Sequence, residues 1–379
     1  MPRVRVLRLR GVHVPSVAAA SKRKVFWTFP APVLERLAIS WATSSPQQEP
    51  LAAPPLLFQG YAPCLVDVEL EVPPGQEMVL PPHCAAFANV STLRLRASAL
   101  RGSPSARFFH DQFPNLRSLS LGTTKGVGNT FKSGNTWTGT RVLEYLELQE
   151  EDNRAETQNS IVIIQMFAQD PDAIDCIHVR RGSLSLVTFI WRRFAQNSSS
   201  SRLFVFGAHH VNNRCVVSIT DVKGRCRIIS EMHPSAISST LAAKKGATLS
   251  PFTELVLWQA TSTEYLAQVA TQHLPRLHKL IIFVRSSAKY GVGASQDILA
   301  TRLPWQVPAL RVLRFTSMDI SGADLFPQPA RNPSVSARAV AGFVRSLPVE
   351  LDRLELERVG LVDGDLMSLT SLANEVVIL

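Results

Sequence analysis

A glycine-rich stretch at 126–133 is the part of this sequence that comes closest to a nucleotide-binding motif. Gly126 and Lys132-Ser133 match the first glycine and the final Lys-Ser pair of the phosphate-binding loop, G-x-x-x-x-G-K-[ST]. That loop needs a second glycine directly before the lysine, because backbone N–H groups must wrap around the phosphates there. Phe131 occupies this position. We therefore interpret the stretch as a polar loop and predict no nucleotide cofactor.

Histidine and cysteine side chains, which are the usual zinc ligands, gather between residues 209 and 233. The set consists of His209, His210, Cys215, Cys226 and His233. Zinc sites usually contain a local chelate such as C-x-x-C or H-x-x-x-H, and neither spacing occurs within the set. We expect buried cysteines and surface histidines at these positions, with no metal ligands.

The common motifs of nucleophilic and acid–base catalysis are missing from the sequence. It contains no G-x-S-x-G, no H-E-x-x-H and no kinase-type catalytic loop. We therefore predict a protein that is not an enzyme, with no catalytic residues and no cofactor.

An apolar frame of the form L-x-x-L-x-L recurs along the chain and determines how every other side chain is positioned. It is clearest where Leu116, Leu119 and Leu121 follow Phe113-Pro114. The first seven frames start 25 to 31 residues apart, which leaves room in each repeat for a strand, a turn and a helix. The remaining frames are Val4/Leu7/Leu9, Leu34/Leu37/Ile39, Leu65/Val68/Leu70, Val90/Leu93/Leu95, Leu143/Leu146/Leu148, Ile174/Ile177/Val179, Ser200/Leu203/Val205, Phe252/Leu255/Leu257, Leu277/Leu280/Ile282, Leu310/Leu313/Phe315, Leu351/Leu354/Leu356 and Ala373/Val376/Ile378.

These frames predict an α/β fold of the leucine-rich-repeat type. One repeat cannot bury its own aliphatic triad, whereas stacked repeats bury all of them, so we expect a single irregular solenoid, or horseshoe, over 1–379. Its parallel β-sheet should line the concave face and its helices the convex face.

Three further segments are predicted from local patterns. Apolar spacing indicates helices over 160–168 and after Ser334 or Ser336, the latter helix with Val340, Phe343, Val344 and Leu347 on one face. Two β-type runs around Asp221-Val222-Lys223-Gly224 predict an inserted hairpin at 214–230. A Pro- and Gly-rich stretch at 322–333 predicts a surface loop.

The residue between the last two frame positions should point away from the core, because side chains alternate along a strand. These residues form a predicted column of outward-facing side chains across the sheet. In sequence order it consists of Arg8, Ala38, Glu69, Arg94, Ser120, Glu147, His178, Phe204, Val256, Ile281, Arg314, Glu355 and Val377.

The middle of this column is apolar and continues into the residues that follow each frame. The resulting predicted apolar patch consists of Phe204, Phe206, Val256, Trp258, Ile281 and Phe283. Contiguous apolar patches of this size mark interaction sites, so we predict that a protein partner binds here. An alternative is open: the hairpin or a loop folds over the patch and makes it a second core.

Charge and cysteine content limit the class of partner and the compartment. Seven of the Lys and Arg residues precede Glu35, the first acid, and subtracting them from the net charge of +10 leaves +3. The basicity is thus N-terminal, and we expect no nucleic-acid groove. Five unevenly spaced cysteines and the lack of any membrane-length apolar run favour a reducing, cytoplasmic or nuclear location.

The loosely spaced frames, the Phe113-Pro114 and Leu347-Pro348 leads and the hairpin near Ile219-Thr220-Asp221 resemble the F-box and leucine-rich-repeat-like proteins of mushroom-forming fungi. That resemblance implies repeats that select a client, and an N-terminal F-box that docks a ubiquitin-ligase adaptor. No F-box is recognisable here, since the first repeat strand begins by Val4. The expected function is therefore a non-catalytic protein-binding scaffold, with a substrate-recognition fragment of an F-box ubiquitin-ligase subunit as the alternative.

Overall fold

The structure is a computed structural model that describes residues 3–12, 29–42, 51–52, 57–80, 84–101, 106–122, 143–149, 154–168, 170–182, 186, 189–190, 201–208, 214–232, 252–258, 273–284, 298–300, 304–317, 333–363 and 366–379. The chain divides into two compact units, residues 1–186 and 187–379. Each unit is described by itself below. The predicted loop at 322–333 lies almost wholly outside the described residues.

The first unit is built on a sheet in which all neighbouring strands are parallel. In spatial order its strands are β1 (Val6–Val12), β2 (Arg36–Trp41), β4 (Asp67–Glu71), β6 (Thr92–Arg96), β8 (Ser118–Leu121), β9 (Tyr145–Gln149) and β10 (Cys176–Arg180). A second, three-stranded parallel sheet consists of β3 (Leu51–Ala52), β5 (Glu77–Val79) and β7 (Ala99–Arg101). Helices α1 (Ala106–Gln112) and α2 (Arg154–Phe167) and short 3-10 turns at Leu57–Gly60, Ala85–Phe87 and Pro171–Ala173 connect the strands.

The second unit carries a mixed sheet. Its strands, in spatial order, are β13 (Cys226–Met232), β12 (Arg214–Asp221), β11 (Ser201–Ala208), β14 (Phe252–Trp258), β15 (Lys279–Phe283), β16 (Val312–Thr316), β18 (Leu351–Glu357) and β20 (Ala373–Ile378). Its other elements are a parallel pair, β17 (Ser334–Val335) with β19 (Gly360–Leu361), helix α3 (Ala337–Ser346), and 3-10 turns at Ile298–Ala300 and Leu366–Ser368. Most strand pairs are parallel and the described residues contain few helices, so the predicted α/β class is confirmed.

The antiparallel part of this sheet lies at the predicted insertion. β12 and β13 form a hairpin whose residues overlap the predicted 214–230 segment, and β12 also runs antiparallel to β11. The Asp221 side chain stabilises the connecting turn: its Oδ1 accepts hydrogen bonds from the backbone N–H groups of Lys223 and Arg225, each at 2.9 Å. An Asp that bonds the backbone two residues ahead is typical of tight turns.

The frame residues form the cores. From the frame at Leu34 to that at Ile174, and from Phe252 to Leu351, all the frame positions are buried. The first and last frames differ, because Leu7, Leu9 and Val376 are half-buried and Ile378 is exposed. β1 and β20 each pair with only one strand among the described residues, so only one neighbour covers their side chains.

Seven of the frames begin with the same backbone turn. The N–H of the first frame residue donates to the carbonyl three residues earlier, in the pairs Leu34→Ala31, Leu65→Ala62, Val90→Phe87, Leu116→Phe113, Ile174→Pro171, Leu277→Leu274 and Leu310→Val307. Proline stands second in five of these turns, where its fixed φ favours the bend. This geometry explains the Pro that precedes these five frames.

Successive strands are aligned by a second repeated pattern, in which one carbonyl oxygen accepts two N–H groups. The oxygen of Arg5 accepts from Glu35 and Arg36, and that of Glu35 accepts from Val66 and Asp67. The same pairing recurs from Val66 to Ser91 and Thr92, from Ser91 to Arg117 and Ser118, from Arg117 to Glu144 and Tyr145, from His278 to Arg311 and Val312, and from Arg311 to Asp352 and Arg353. We call this pattern the shared-carbonyl ladder.

Helix α3 begins and packs as its sequence predicts. The Ser336 Oγ accepts a hydrogen bond from the N–H of Ala339 at 3.0 Å, which caps the helix. Val340, Phe343 and Val344 are buried in the core of the second unit, and Leu347 is buried directly after the helix. No helix within the described ranges is both long enough and apolar enough to cross a membrane.

Candidate functional site

The predicted column of outward-facing side chains is confirmed by the strand register in the first unit. Arg8 lies opposite Ala38, Ala38 opposite Glu69, and Glu69 opposite Arg94. The column then continues through Ser120 and Glu147 to His178. Since the frame residues on either side point into the core, the column lies on the opposite face of the sheet, which we call the outer face.

The second unit contains the rest of the column, again in the predicted register. Phe204 pairs with Val256, Val256 with Ile281, and Ile281 with Arg314. Arg314 in turn pairs with Glu355, and Glu355 with Val377. The frame spacing alone therefore correctly predicts which residues lie opposite each other on neighbouring strands.

The register also brings members of the predicted apolar patch together. Phe204, Val256 and Ile281 lie side by side on three adjacent strands, and Trp258 lies opposite Phe283. Phe206 lies two residues beyond Phe204 on β11, where it pairs with Val216 of β12. The side chains of Phe204, Phe206 and Trp258 lie outside the described part of the structure.

The other three patch residues are covered. Val256 is 0% exposed, Ile281 4% and Phe283 7%. A partner that binds to a preformed surface needs accessible side chains, and these three are not accessible in this state of the chain. Their burial favours the alternative interpretation of the patch as internal packing.

Charged groups adjoin the covered patch on the outer face of the second unit. Glu355 is only 6% exposed, and its Oε2 lies 3.4 Å from Lys279 Nζ and 3.7 Å from Arg314 Nη1. Its Oε1 lies 3.5 Å from Arg353 Nη1. A buried carboxylate needs such compensation, because removing a charge from water is unfavourable unless opposite charges lie close.

A second carboxylate, Glu357, extends this group toward the strand ends. Burial acts to raise the pKa of Glu357, but hydrogen bonds from Arg314 Nε at 2.9 Å and Thr316 Oγ1 at 2.6 Å outweigh it and hold the pKa below its ordinary value. On the outer face of this unit, the apolar residues of β14 and β15 are thus buried, and the carboxylates of β18 form ion pairs with neighbouring basic side chains.

The outer face of the first unit is polar and remains partly accessible. Ala38, Glu69, Arg94, Ser120 and Glu147 are all half-buried. Ion pairs join neighbouring strands here, with Arg94 Nη1 at 3.1 Å from Asp67 Oδ1 and Arg96 Nη2 at 3.4 Å from Glu69 Oε1. These pairs hold long side chains in defined positions on a surface that solvent reaches.

A denser polar cluster lies where β8, β9 and β10 meet. Glu147 accepts a hydrogen bond from Ser120 Oγ at 3.0 Å and lies 3.1 Å from Arg180 Nε. The Tyr145 hydroxyl lies 3.1 Å from Nδ1 of the buried His178. Burial, and next the nearby Glu147 carboxylate, raise the pKa of the Tyr145 phenol.

Sequence reasoning did not single out this cluster as a site, although it placed three of its members in the column. Tyr145 and Arg180 flank the column by two residues along their strands, at positions that also face outward. Polar residue types at alternate strand positions were the signal that points to them. The cluster contains tyrosine, histidine, glutamate and serine, but its hydrogen bonds join these groups to one another.

The candidate chemical motifs of the sequence fall largely outside the described residues. These include the whole 126–133 stretch, His209, His210 and His233, and the Cys215 side chain. The described Cys226 Sγ lies 3.3 Å from Ser218 Oγ and 3.6 Å from Thr220 Oγ1. Within the described residues no three His, Cys, Asp or Glu side chains are grouped to hold a metal ion, and no disulfide joins the four described cysteines.

Comparison with known proteins leaves the family of the chain open. No protein-family model matches the chain, and no curated protein sequence matches it.

Proposed function

We propose that this chain is a non-catalytic protein-binding scaffold, built as an irregular leucine-rich-repeat solenoid whose parallel sheet presents the binding face. The turn that precedes seven of the frames and the shared-carbonyl ladder support the repeat interpretation, because the same backbone geometry recurs in both units. Stacked repeats of this kind create an extended surface that protein partners use. In this proposal the sheet lines the concave face and the helices cover the convex face.

The observation that carries the proposal is the outward column in the first unit. Side chains at one strand position follow one another in register across adjacent strands, and they stay half-exposed from Ala38 to Glu147. In the predicted apolar patch, by contrast, Val256, Ile281 and Phe283 are buried. The proposed binding surface is therefore the polar outer face of the first unit.

Ion pairs on this surface hold side chains in defined conformations before a partner binds. A partly exposed pair such as Arg94 with Asp67 adds only about 1 kcal/mol to folding stability. It does, however, restrict both side chains to one geometry before a partner arrives. A partner then loses less side-chain entropy on binding, which favours affinity and specificity.

The proposal is tested by affinity capture from a cell lysate with the intact chain, followed by titration of the captured protein. A charge-swapped variant, Asp67→Arg/Arg94→Asp, keeps the net charge and the ion pair but reverses its polarity toward the partner. We expect this variant to lose the partner, with a dissociation constant raised roughly tenfold or more.

The matched control is Glu77→Arg/Arg101→Glu, which reverses an ion pair of the small three-stranded sheet in the same unit. This control should bind normally. Equal binding by both swapped variants, with circular dichroism showing both folded, would contradict the proposed surface. Recovery of a ubiquitin-ligase adaptor with the chain would support the F-box alternative instead.

A further inference from the structure

Three arginines form a basic patch at the β1 end of the outer face in the first unit. Arg8 and Arg10 alternate with the frame residues of β1, and Arg36 lies opposite Val6 at the start of β2. Residues two apart on a strand are separated by about 6.7 Å, and neighbouring strands by about 4.8 Å. The three side chains therefore originate from one small area of the sheet. We call Arg8, Arg10 and Arg36 the arginine patch.

All three side chains are exposed, and none of them takes part in an ion pair with another described residue. Several other arginines of this unit are paired: Arg5 with Glu35, Arg94 with Asp67, Arg96 with Glu69, and Arg180 with Glu147. The two carboxylates nearest to the patch on β4, Asp67 and Glu69, are thus already engaged by arginines from β6. The sequence before Glu35 contains no acid at all, so the N-terminal segment supplies no other carboxylate.

The charges around the patch discriminate between two classes of acidic ligand. Asp67, Glu69 and Glu71 lie on β4 on the same outer face, one strand beyond Arg36, Ala38 and Ser40. This row of carboxylates, two of which pair with Arg94 and Arg96, ends the run of unpaired arginines after about two strands, or roughly 5 Å between strand axes. A nucleic-acid backbone needs a longer basic track, because its affinity comes from many phosphate contacts. A short acidic segment of a protein, by contrast, can bind to a basic area as small as the arginine patch.

We infer that the arginine patch binds an acidic, Asp/Glu-rich segment of the protein partner, which makes the patch one end of the binding surface. This inference rests on the proposed protein-binding function and specifies the chemistry of the partner. Guanidinium groups suit this role, since their planar fork matches carboxylate geometry and can form two parallel hydrogen bonds. The residues opposite Arg8 and Arg10 on β2 are the small, half-buried Ala38 and Ser40.

The test measures fluorescence anisotropy with the intact chain and two labelled probes of equal net charge. One probe is a peptide of alternating glutamate and serine, and the other is single-stranded oligothymidylate. The Arg8→Gln/Arg10→Gln/Arg36→Gln variant should raise the dissociation constant of the peptide roughly tenfold, as expected for the loss of three exposed charge pairs. Added salt should weaken wild-type binding.

The charge-matched control is Arg338→Gln/Arg345→Gln/Arg358→Gln, which removes three exposed arginines of the second unit. It should bind the peptide like the wild type. Equal weakening by both variants, or no binding of the peptide to the wild type, would overturn the inference. Tighter binding of the oligonucleotide than of the peptide, lost in the patch variant, would also overturn it by assigning the patch to nucleic acid.

The two proposals can fail separately. If the captured partner binds the patch variant and the wild type equally, the arginine patch is excluded while the scaffold function stands. If the wild-type chain captures no protein, the scaffold function itself is contradicted.

Discussion

Tyr145 shows how the outer face imposes an unusual environment on a single side chain. Its hydroxyl lies 3.1 Å from His178 Nδ1 and 3.4 Å from Glu147 Oε2. Ionising the phenol would place a negative charge next to a carboxylate in a partly buried position. The raised pKa follows from these two facts, with burial as the larger cause.

This pKa shift predicts a loss of stability at alkaline pH. The unfolded chain releases the Tyr145 proton near pH 10, the ordinary value for tyrosine, whereas the folded chain retains it to higher pH. The folded state thus binds more protons above about pH 10, so its stability falls as the pH rises from there. Replacing Tyr145 by Phe should remove this part of the alkaline loss, measured by urea unfolding at a series of pH values.

The control for this prediction is Tyr61→Phe, because Tyr61 is an exposed tyrosine of the same unit. The free energy of unfolding of the Tyr61→Phe variant should decline with rising pH as steeply as that of the wild type. A Tyr145→Phe variant with the wild-type slope would show that the Tyr145 phenol ionises equally readily in the folded and unfolded chains.

At the scale of single residues, the sequence predicts on which face of the sheet a side chain lies, but not whether that side chain is buried. Alternation along each strand correctly places Glu147, Ile281 and Glu355 on the outer face. It does not say whether other parts of the chain cover that face. Ile281 and Glu355 are buried there, while Glu147 is only half-buried. Coverage depends on contacts with residues distant in sequence, and no local pattern records them.

Among the elements, helix α3 has the best-defined start. The Ser336 Oγ accepts from the Ala339 N–H and donates to Asp363 Oδ2 at 2.7 Å. This hydrogen bond from Ser336 is the main reason why the pKa of Asp363 is lowered. One hydroxyl therefore links the start of the helix to the segment that follows β19.

Removing this hydroxyl should weaken the second unit. Ser336→Ala deletes the cap and should reduce the free energy of unfolding by about 1 kcal/mol. Thermal unfolding followed by circular dichroism would measure the loss. Ser346→Ala near the other end of the helix, where the hydroxyl bonds to the Phe343 carbonyl, tests whether any serine of α3 has the same effect. An equal loss in both variants would count against a specific role for the cap.

Elements with a long periodic pattern were predictable, and short ones were not. The frames correctly predict the main strands, and the apolar face of α3 is confirmed. Helix α2 begins at Arg154, six residues before the predicted 160–168 segment. The small sheet of β3, β5 and β7 was missed, because strands of two or three residues are too short to show an alternating pattern.

At the scale of the whole molecule, the stacking of repeats predicts that a destabilising core substitution affects mainly the neighbouring repeats. Leu313 is fully buried in β16, between β15 and β18. Leu313→Ala should lower stability by about 2 to 5 kcal/mol, since it removes buried methyl groups and leaves a cavity. Hydrogen exchange should then accelerate most in β15, β16 and β18.

A parallel variant in the other unit provides the comparison. Leu119 is equally buried in β8, and Leu119→Ala should accelerate exchange chiefly in β6, β8 and β9. If either substitution accelerated exchange uniformly over residues 1–379, stability would not be a sum of contributions from adjacent repeats.

The shared-carbonyl ladder also determines which kinds of sequence change this fold tolerates. Its hydrogen bonds come from main-chain atoms, so substitutions at Glu35, Val66 or Ser91 change a side chain while leaving the donor and acceptor in place. Proline is the exception, because it has no N–H to donate. Half-exposed charges of the outward column in the first unit, such as Glu69 and Arg94, can therefore be exchanged during evolution without altering the backbone spacing. New binding specificities can arise on this sheet through point substitutions alone.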